Sequence, residues 1–361
     1  MQDLLPQHVS AIFSTTRAGH QGVLAAAATG FSDFISQQGG DPERILGHSG
    51  LDPERLACPT QSLSLIHYCQ AMETAAEQLG QDNFGLHYGY QFQPQSLGLL
   101  GYIGLCSATV EQALINLVHA FPYHQHDTLT RLVDQGNSWR LDYQVRHGGI
   151  LCRRQDAELT LGMFLNLLRT GLGHQWAPKE VYFEHPRPEN WHEHCKLFDA
   201  PVYFDQPYNA LVIPKSQLQR TMPDHNPTLL LVMQDAIQRL NIQPPRQSLA
   251  EQIRLEIQLQ LPQGEPCLEQ LAAKMQTSQH SVQRQLQQEG THFSQLVDQV
   301  RQDLAQHYLK QKQISISEMA LLLGYSEVSA FSRAFRRWFT LSPRQWRCQY
   351  LAHHAPLAAA S

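Results

Sequence analysis

Apolar residues recur every three to four positions through the last third of the chain, which is the spacing of an amphipathic α-helix. Ser248 and Glu251 have the spacing of a capping box at the start of this region. Residues 292–311 carry one continuous apolar stripe. Serine, a residue that often caps the start of a helix, occurs where three further short helices are predicted to begin, at Ser278, Ser315 and Ser326. The pattern predicts an all-α domain in which two helix–turn–helix units are joined by a long helix.

The preceding residues have a mixed pattern. Asp41-Pro42 and Asp52-Pro53 each combine an Asp N-cap with proline at the first helical position, and Thr109 with Gln112 predicts a capping box at another helix start. Residues 138–145 alternate between apolar and polar side chains, as a half-buried strand does. Two further strands are predicted at 180–184 and 210–213. This part of the chain is therefore predicted to be α+β.

The length of the chain and the change in its hydrophobic pattern predict how it divides into domains. A length of 361 residues suggests two domains at about 150 residues each. Gln243-Pro244-Pro245-Arg246 has the composition of a linker. The predicted segments are an N-terminal tail (1–20), an α+β domain (21–225), a helix with linker (226–247), an all-α domain (248–349) and a C-terminal tail (350–361).

Composition excludes several classes of protein. Hydrophobic residues make up 42% of the chain and charged residues 16%, which excludes disorder over most of its length. The densest aliphatic run, residues 229–233, is far shorter than the roughly 20 residues that a bilayer requires, so no membrane span is predicted. The 7 cysteines are scattered singly without a C-x-x-C pair, which favours reduced thiols in the cytoplasm over a disulfide scaffold or a zinc ribbon.

Charge differs between the two parts of the chain. Residues 1–249 contain 16 Lys and Arg against 23 Asp and Glu, a net charge of −7, whereas residues 250–361 contain 11 against 9, a net charge of +2. From Ser278 onward the counts are 9 and 5, a net charge of +4. A polyanionic partner would therefore bind at the C-terminal end.

The two predicted helix–turn–helix units have a spacing that suits DNA. In such a unit the first helix braces the second, which enters the major groove. A linking helix of about 20 residues spans about 30 Å, close to the roughly 34 Å of one turn of B-DNA. Both recognition helices could then enter successive major grooves on one face of double-stranded DNA.

Two stretches carry a resemblance to a known family. Residues 278–286 and 316–347 resemble the helix–turn–helix units of AraC/XylS transcription regulators. Residues 21–215 resemble the arabinose-binding-type N-terminal domain of one subgroup, through Gly98–Gly104, the Thr109 helix start and Phe198–Phe204. The resemblance implies a sequence-specific activator that forms a homodimer, contacts RNA polymerase and responds to a small-molecule effector sensed by the N-terminal domain. It does not indicate which residues bind the effector.

The resemblance also implies which side chains contact DNA. In the first recognition helix, Gln283 is suited to adenine and Arg284 to guanine or a phosphate. In the second, Val328 could touch only a thymine methyl group, so we expect weaker base readout there. The predicted DNA-contacting residues are His280, Gln283, Arg284, Gln287, Val328, Ser329, Arg333, Arg336 and Arg337, with Gln287, Arg336 and Arg337 placed on phosphates. The alternative roles are a bracing salt bridge for Arg284 and Arg333, and plain solvent exposure for His280 and Gln283.

No cofactor, metal site or catalytic residue is predicted. Histidines cluster twice, at His119, His124 and His126 beside Tyr123, and at His185, His192 and His194 beside Cys195. Neither cluster contains paired ligands at the helical spacing typical of a metal site.

Two alternatives to a ligand-controlled regulator stay open. The first is a regulator without a small ligand that responds to a protein partner or to its own concentration. The second is a DNA-repair-type enzyme with a regulatory DNA-binding domain, which would need a reactive cysteine cluster. The isolated cysteines argue against that enzyme, so no enzymatic activity is predicted.

Overall fold

The computed structural model describes residues 22–240, 248–310 and 314–353, which fall into two compact units. The first unit comprises 22–146 and 152–240 of these residues, and the second comprises 147–151 with 248–310 and 314–353. The predicted linker at 243–246, the predicted tail at 1–20 and most of the tail predicted at 350–361 lie outside the described residues.

The described residues of the first unit contain seven strands. They are β1 (Val23–Leu24), β2 (Ser62–Leu63), β3 (Thr128–Asp134), β4 (Ser138–Val145), β5 (Glu180–Tyr182), β6 (Val202–Tyr203) and β7 (Asn209–Pro214). The strands β1 and β2 pair antiparallel, and the other five form a sheet in the order β3-β4-β7-β5-β6. Its neighbouring strands are antiparallel except β5 and β6. The predicted strands correspond to β4, β5 and β7, which confirms the α+β class of this domain.

Ten α-helices accompany these strands in the described residues of the first unit. They are α1 (Phe31–Gln37), α2 (Pro42–Ser49), α3 (Pro53–Leu56), α4 (Leu65–Leu79), α5 (Phe84–Gln91), α6 (Leu99–Leu105), α7 (Val110–His124), α8 (Arg154–Leu172), α9 (His192–Phe198) and α10 (Pro227–Arg239). The side chains of Asp41 and Asp52 accept backbone N–H bonds at the starts of α2 and α3, as predicted. Thr109 likewise caps α7. The side chain of Gln112 bonds to Asn116 instead of completing a capping box.

The helix α8 is the central helix of this unit and was not predicted. Most of its 19 residues are buried, including polar residues in its first two turns. It packs closely against α5, where a Cβ atom on Gly85 would lie 2.1 Å from the carbonyl oxygen of Gln155 and one on Gly89 would lie 2.6 Å from that of Leu159. Only glycine permits this approach, because any side chain there would collide with the α8 backbone.

The second unit is all-α, as predicted. Its helices are α11 (Leu249–Gln260), α12 (Leu268–Lys274), α13 (Gln279–Gln288), α14 (Phe293–Lys310), α15 (Ile316–Leu322), α16 (Val328–Phe339) and α17 (Pro343–His353). The capping box of Ser248 and Glu251 is complete. The prediction of Ser326 as an N-cap is wrong, because α16 begins after Glu327 without a side-chain cap.

One apolar core holds these helices together. Its fully buried members come from every helix between α11 and α16 and include Ile257, Leu271, Val282, Val300 and Phe331. Among the described residues of both units, none of the helices combines the length and the apolar character needed to cross a membrane.

Candidate nucleic-acid interface

Two tight turns set the positions of the recognition helices. In the first helix–turn–helix, Gln276 has φ 53°, and the hydroxyl of Ser278 accepts the backbone N–H of Ser281 at 3.2 Å to start α13. In the second helix–turn–helix, Gly324 has φ 73°, and a Cβ atom there would lie 2.4 Å from the carbonyl oxygen of Gly264. Both the left-handed conformation and the lack of space require glycine at this turn.

The first recognition helix, α13, has one buried side and one exposed polar side. Val282 and Leu286 are fully buried in the core of the unit. The predicted contacts His280, Gln283, Arg284 and Gln287 are all exposed on the opposite side. Among the described residues, these four side chains have no hydrogen bond or ion pair, so the bracing salt bridge considered for Arg284 is not formed there.

The second recognition helix, α16, presents a different surface. Val328 is 38% exposed, and the neighbouring Ser329 hydroxyl donates to the Glu327 carboxylate at 2.9 Å. The side chains in the first turn of α16 therefore present the methyl groups of Val328 and the carboxylate of Glu327 rather than free hydrogen-bond donors. Arg333 and Arg336 are exposed, and the bracing salt bridge considered for Arg333 is not formed with any described residue.

Arg337 is the one predicted contact that forms an ion pair with a described residue. Its Nη2 lies 3.2 Å from Asp298 Oδ2 on α14, and the two side chains are 65% and 44% exposed. At such exposure an ion pair is weak, about 0–1 kcal/mol. Arg337 can therefore exchange Asp298 for a phosphate at small cost.

Two arginines position the helices, although neither role was predicted. Arg301 on α14 is only 8% exposed. Its Nε donates to the carbonyl oxygen of Leu323 at 3.0 Å, and its guanidinium lies 4.4 Å from the centre of the Tyr325 ring. Arg301 thus holds the turn before α16. Its place among Val297, Val300 and Leu304 on the apolar stripe is the sequence signal of this role.

Arg347 fastens the end of the linking helix. Its Nε donates to the carbonyl oxygen of Leu309 at 3.2 Å and its Nη2 to that of Ile314 at 2.7 Å. These bonds satisfy a carbonyl at the C-terminal end of α14, where positive charge is favourable. The 18 described residues of α14 span about 27 Å, against the 30 Å predicted for the linking helix.

Family models match both units. The model described as the arabinose-binding domain of AraC transcription regulator, N-term, matches residues 39–222, about half of the chain. A model described as a helix-turn-helix domain matches residues 271–349. The second match contains both recognition helices and α14 between them.

Similar proteins are transcription regulators. The ornithine utilization regulator of Pseudomonas aeruginosa is 28% identical over 338 residues, which is 90% of this chain and 96% of that protein. The regulator VirS of Mycobacterium tuberculosis is 24% identical and covers 88% of this chain and 94% of its own. Among solved structures, the transcriptional regulator CdpR from Pseudomonas aeruginosa aligns over 88% of this chain and 98% of its own with 18% identity and a TM-score of 0.38.

Proposed function

The chain belongs to the AraC family of transcription regulators, and we propose that its two recognition helices act differently on DNA, with α13 reading bases and α16 mainly holding phosphates. As a member of this family it combines an arabinose-binding-type sensing domain with a helix–turn–helix DNA-binding domain.

The observation that best supports base readout by α13 is its exposed polar side. Gln283 and Arg284 stand exposed without competing partners among the described residues. Both side chains can form two hydrogen bonds to a base edge, Gln283 to adenine and Arg284 to guanine. His280 and Gln287 flank them on the same face, where they would contact a base and a phosphate.

The first turn of α16 favours weaker base readout by that helix. The carboxylate of Glu327 beside Val328 and Ser329 cannot donate a hydrogen bond to a base acceptor. Arg333, one turn further along, is the base contact that we propose for α16. Arg336 and Arg337 follow on the same helix and are suited to phosphates.

Selection and titration test this division. The full chain is first used to select binding sites from random duplex DNA, and the best site is then titrated with variants at fixed salt. We expect Arg284→Ala to lower specific affinity by about 1–3 kcal/mol and to relax the base preference at one position. Gln285→Ala is the control, because Gln285 is exposed on α13 near the buried side. Unchanged binding by the Arg284 variant would remove this residue from the interface.

The arabinose-binding-type domain implies a small-molecule effector. We propose amino acids as the first effector class to test, because one relative is named an ornithine utilization regulator. Ornithine should raise the melting temperature of the full chain in a saturable way, whereas glycerol should not. No saturable shift with ornithine or with a wider metabolite set would favour the alternative in which the regulator responds to a protein partner or to its own concentration.

We further propose that the regulator is a homodimer through α10. Leu231 and Val232 are 67% and 54% exposed on this helix, which makes them the candidates for a self-complementary apolar contact. In sedimentation velocity the wild type should be dimeric and the Leu231→Glu, Val232→Glu double variant monomeric. Ile66→Glu, at another exposed apolar residue (40% exposed), should leave the dimer intact. A monomeric wild type would contradict dimerisation, and a dimeric double variant would exclude α10.

Acting on chromosomal DNA, the protein would work in the cytoplasm as an activator that contacts RNA polymerase, without catalytic activity of its own. A promoter carrying the selected site tests this directly in transcription with purified polymerase. Transcription should rise when the regulator is added. A fall would identify a repressor.

A further inference from the structure

Three buried side chains that could bind a metal meet in the first unit, far from the recognition helices in sequence. Glu158 lies in the second turn of α8, His185 follows β5, and His194 lies in α9. The side chains of Glu158 and His194 are 0% exposed and that of His185 is 8% exposed. One ligand atom from each of the three lies within 4.8 Å of the others.

The orientation of His185 directs the lone pair of one ring nitrogen toward the carboxylate of Glu158. Its Nδ1 lies 2.9 Å from the carbonyl oxygen of Pro186, which can only accept, so Nδ1 carries the hydrogen. In the neutral ring Nε2 is then an acceptor, and it lies 3.4 Å from Glu158 Oε1. A backbone carbonyl that binds the far nitrogen in this way is the usual second partner of a metal-binding histidine.

Three atoms of the cluster have no hydrogen-bond partner among the described residues. They are His185 Nε2, Glu158 Oε2 and His194 Nδ1, and all three are fully buried. A nitrogen lone pair and a carboxylate that face each other repel, and burial makes an unpaired polar atom costly. A cation between them would convert this repulsion into two favourable bonds.

Two aromatic rings and one arginine border the cluster. Rings of Phe183 and Phe204 enclose the two histidines, with centroids 4.9 Å apart for Phe183 and His185 and 5.3 Å apart for Phe204 and His194. Arg154 Nε donates to Glu158 Oε1 at 2.7 Å, so the arginine occupies one carboxylate oxygen and leaves the other available. His194 Nε2 also contacts Oε1, at 2.9 Å, and would turn from it to the metal.

We propose that Glu158, His185 and His194 bind a divalent transition metal ion of the Zn²⁺ class. Two imidazole nitrogens with one carboxylate oxygen form a ligand set that Zn²⁺ and Co²⁺ accept, in preference to Ca²⁺ or Mg²⁺, which prefer oxygen. Three protein ligands leave a fourth tetrahedral position for water or for a donor atom of an effector. The histidine spacing does not predict this site because Glu158, outside both histidine clusters, supplies the third ligand.

Metal binding by the full chain tests the proposal. The protein is stripped with a chelator, dialysed and titrated with Zn²⁺ or Co²⁺ alone. We expect one tight Zn²⁺ per chain, a melting temperature raised by at least about 5 °C, and visible absorption of tetrahedral Co²⁺. Ca²⁺ should produce none of these effects.

Variants then locate the ion. His185→Gln and His194→Gln should lose the tight Co²⁺ absorption and the thermal shift, whereas His192→Gln should keep both, because His192 is exposed on α9 and stacked on Trp191. Equal loss in the His192 variant would assign binding to surface histidines and overturn the site. Stripped wild type that stays folded and binds neither ion would also overturn it, even if the core variants fail to fold.

Discussion

Replacing Arg301 by Met should destabilise the second unit by about 3 kcal/mol. The change keeps a straight apolar side chain in place of the arginine stem but removes the guanidinium that holds the turn before α16. A hydrogen bond from a charged donor contributes about 1.5–3 kcal/mol, and this one satisfies the carbonyl of Leu323, a residue that is 0% exposed. The cation–π contact with Tyr325 at 4.4 Å adds about 1 kcal/mol or more. The two contributions share one group and do not add fully.

Hydrogen exchange measured by mass spectrometry can follow this unit separately from the first. Peptides from α14, α15 and α16 should exchange about 100-fold faster in the variant under conditions where exchange reports the opening equilibrium, since about 1.4 kcal/mol corresponds to a factor of ten. Peptides from the first unit should not change.

A matched control separates this effect from the loss of any positive charge. Arg344 on α17 is exposed and has no hydrogen bond or ion pair with any described residue. Arg344→Met should therefore change the stability by no more than about 0.5 kcal/mol. If Arg301→Met stays within about 0.5 kcal/mol of the wild type, the turn does not depend on Arg301 and the reasoning is refuted.

Two further predictions concern phosphate contacts and pH. Arg336→Ala should weaken binding to all duplexes alike and reduce the slope of log affinity against log salt by about 1; an unchanged slope would remove Arg336 from the backbone contacts. Burial raises the pKa of Asp156 to about 6 although Tyr143 donates a hydrogen bond to its carboxylate. A raised carboxyl pKa stabilises the fold at low pH, and this contribution is lost as pH rises from about 4, the unfolded value, through 6. Asp156→Asn, which does not titrate, should therefore gain stability relative to the wild type across that range in urea unfolding, and parallel pH profiles would contradict the assignment.

Local signals in the sequence were sufficient for much of the second unit. The starts of α11, α13 and α15 depend on Ser248, Ser278 and Ser315, whose hydroxyls each accept the backbone N–H of the residue three positions further along. Such contacts are formed within one turn, so the residue types and their spacing predict them. Ser326 has the same residue type but does not cap a helix, because the turn at Gly324 places the start of α16 after Glu327.

Local sequence signals do not identify the central helix of the first unit. The helix α8 is buried on most sides, including its polar first two turns, and a helix without an exposed face lacks the one-sided stripe by which amphipathic helices are recognised. Strand β3 is half-buried along its length, which weakens the alternation expected of a strand. Both elements are defined by what packs on them.

The sequence by itself determined the helix starts and apolar stripes of the DNA-binding domain, and with them the polar face of α13, because these depend on residues within one or two turns of each other. Only the tertiary structure placed Arg301 under the turn before α16 and brought Glu158, His185 and His194 together from three separate elements. Contacts of this kind depend on how whole helices and strands pack, and that packing is the sum of many burial energies spread along the chain. No short segment of the sequence therefore determines these contacts.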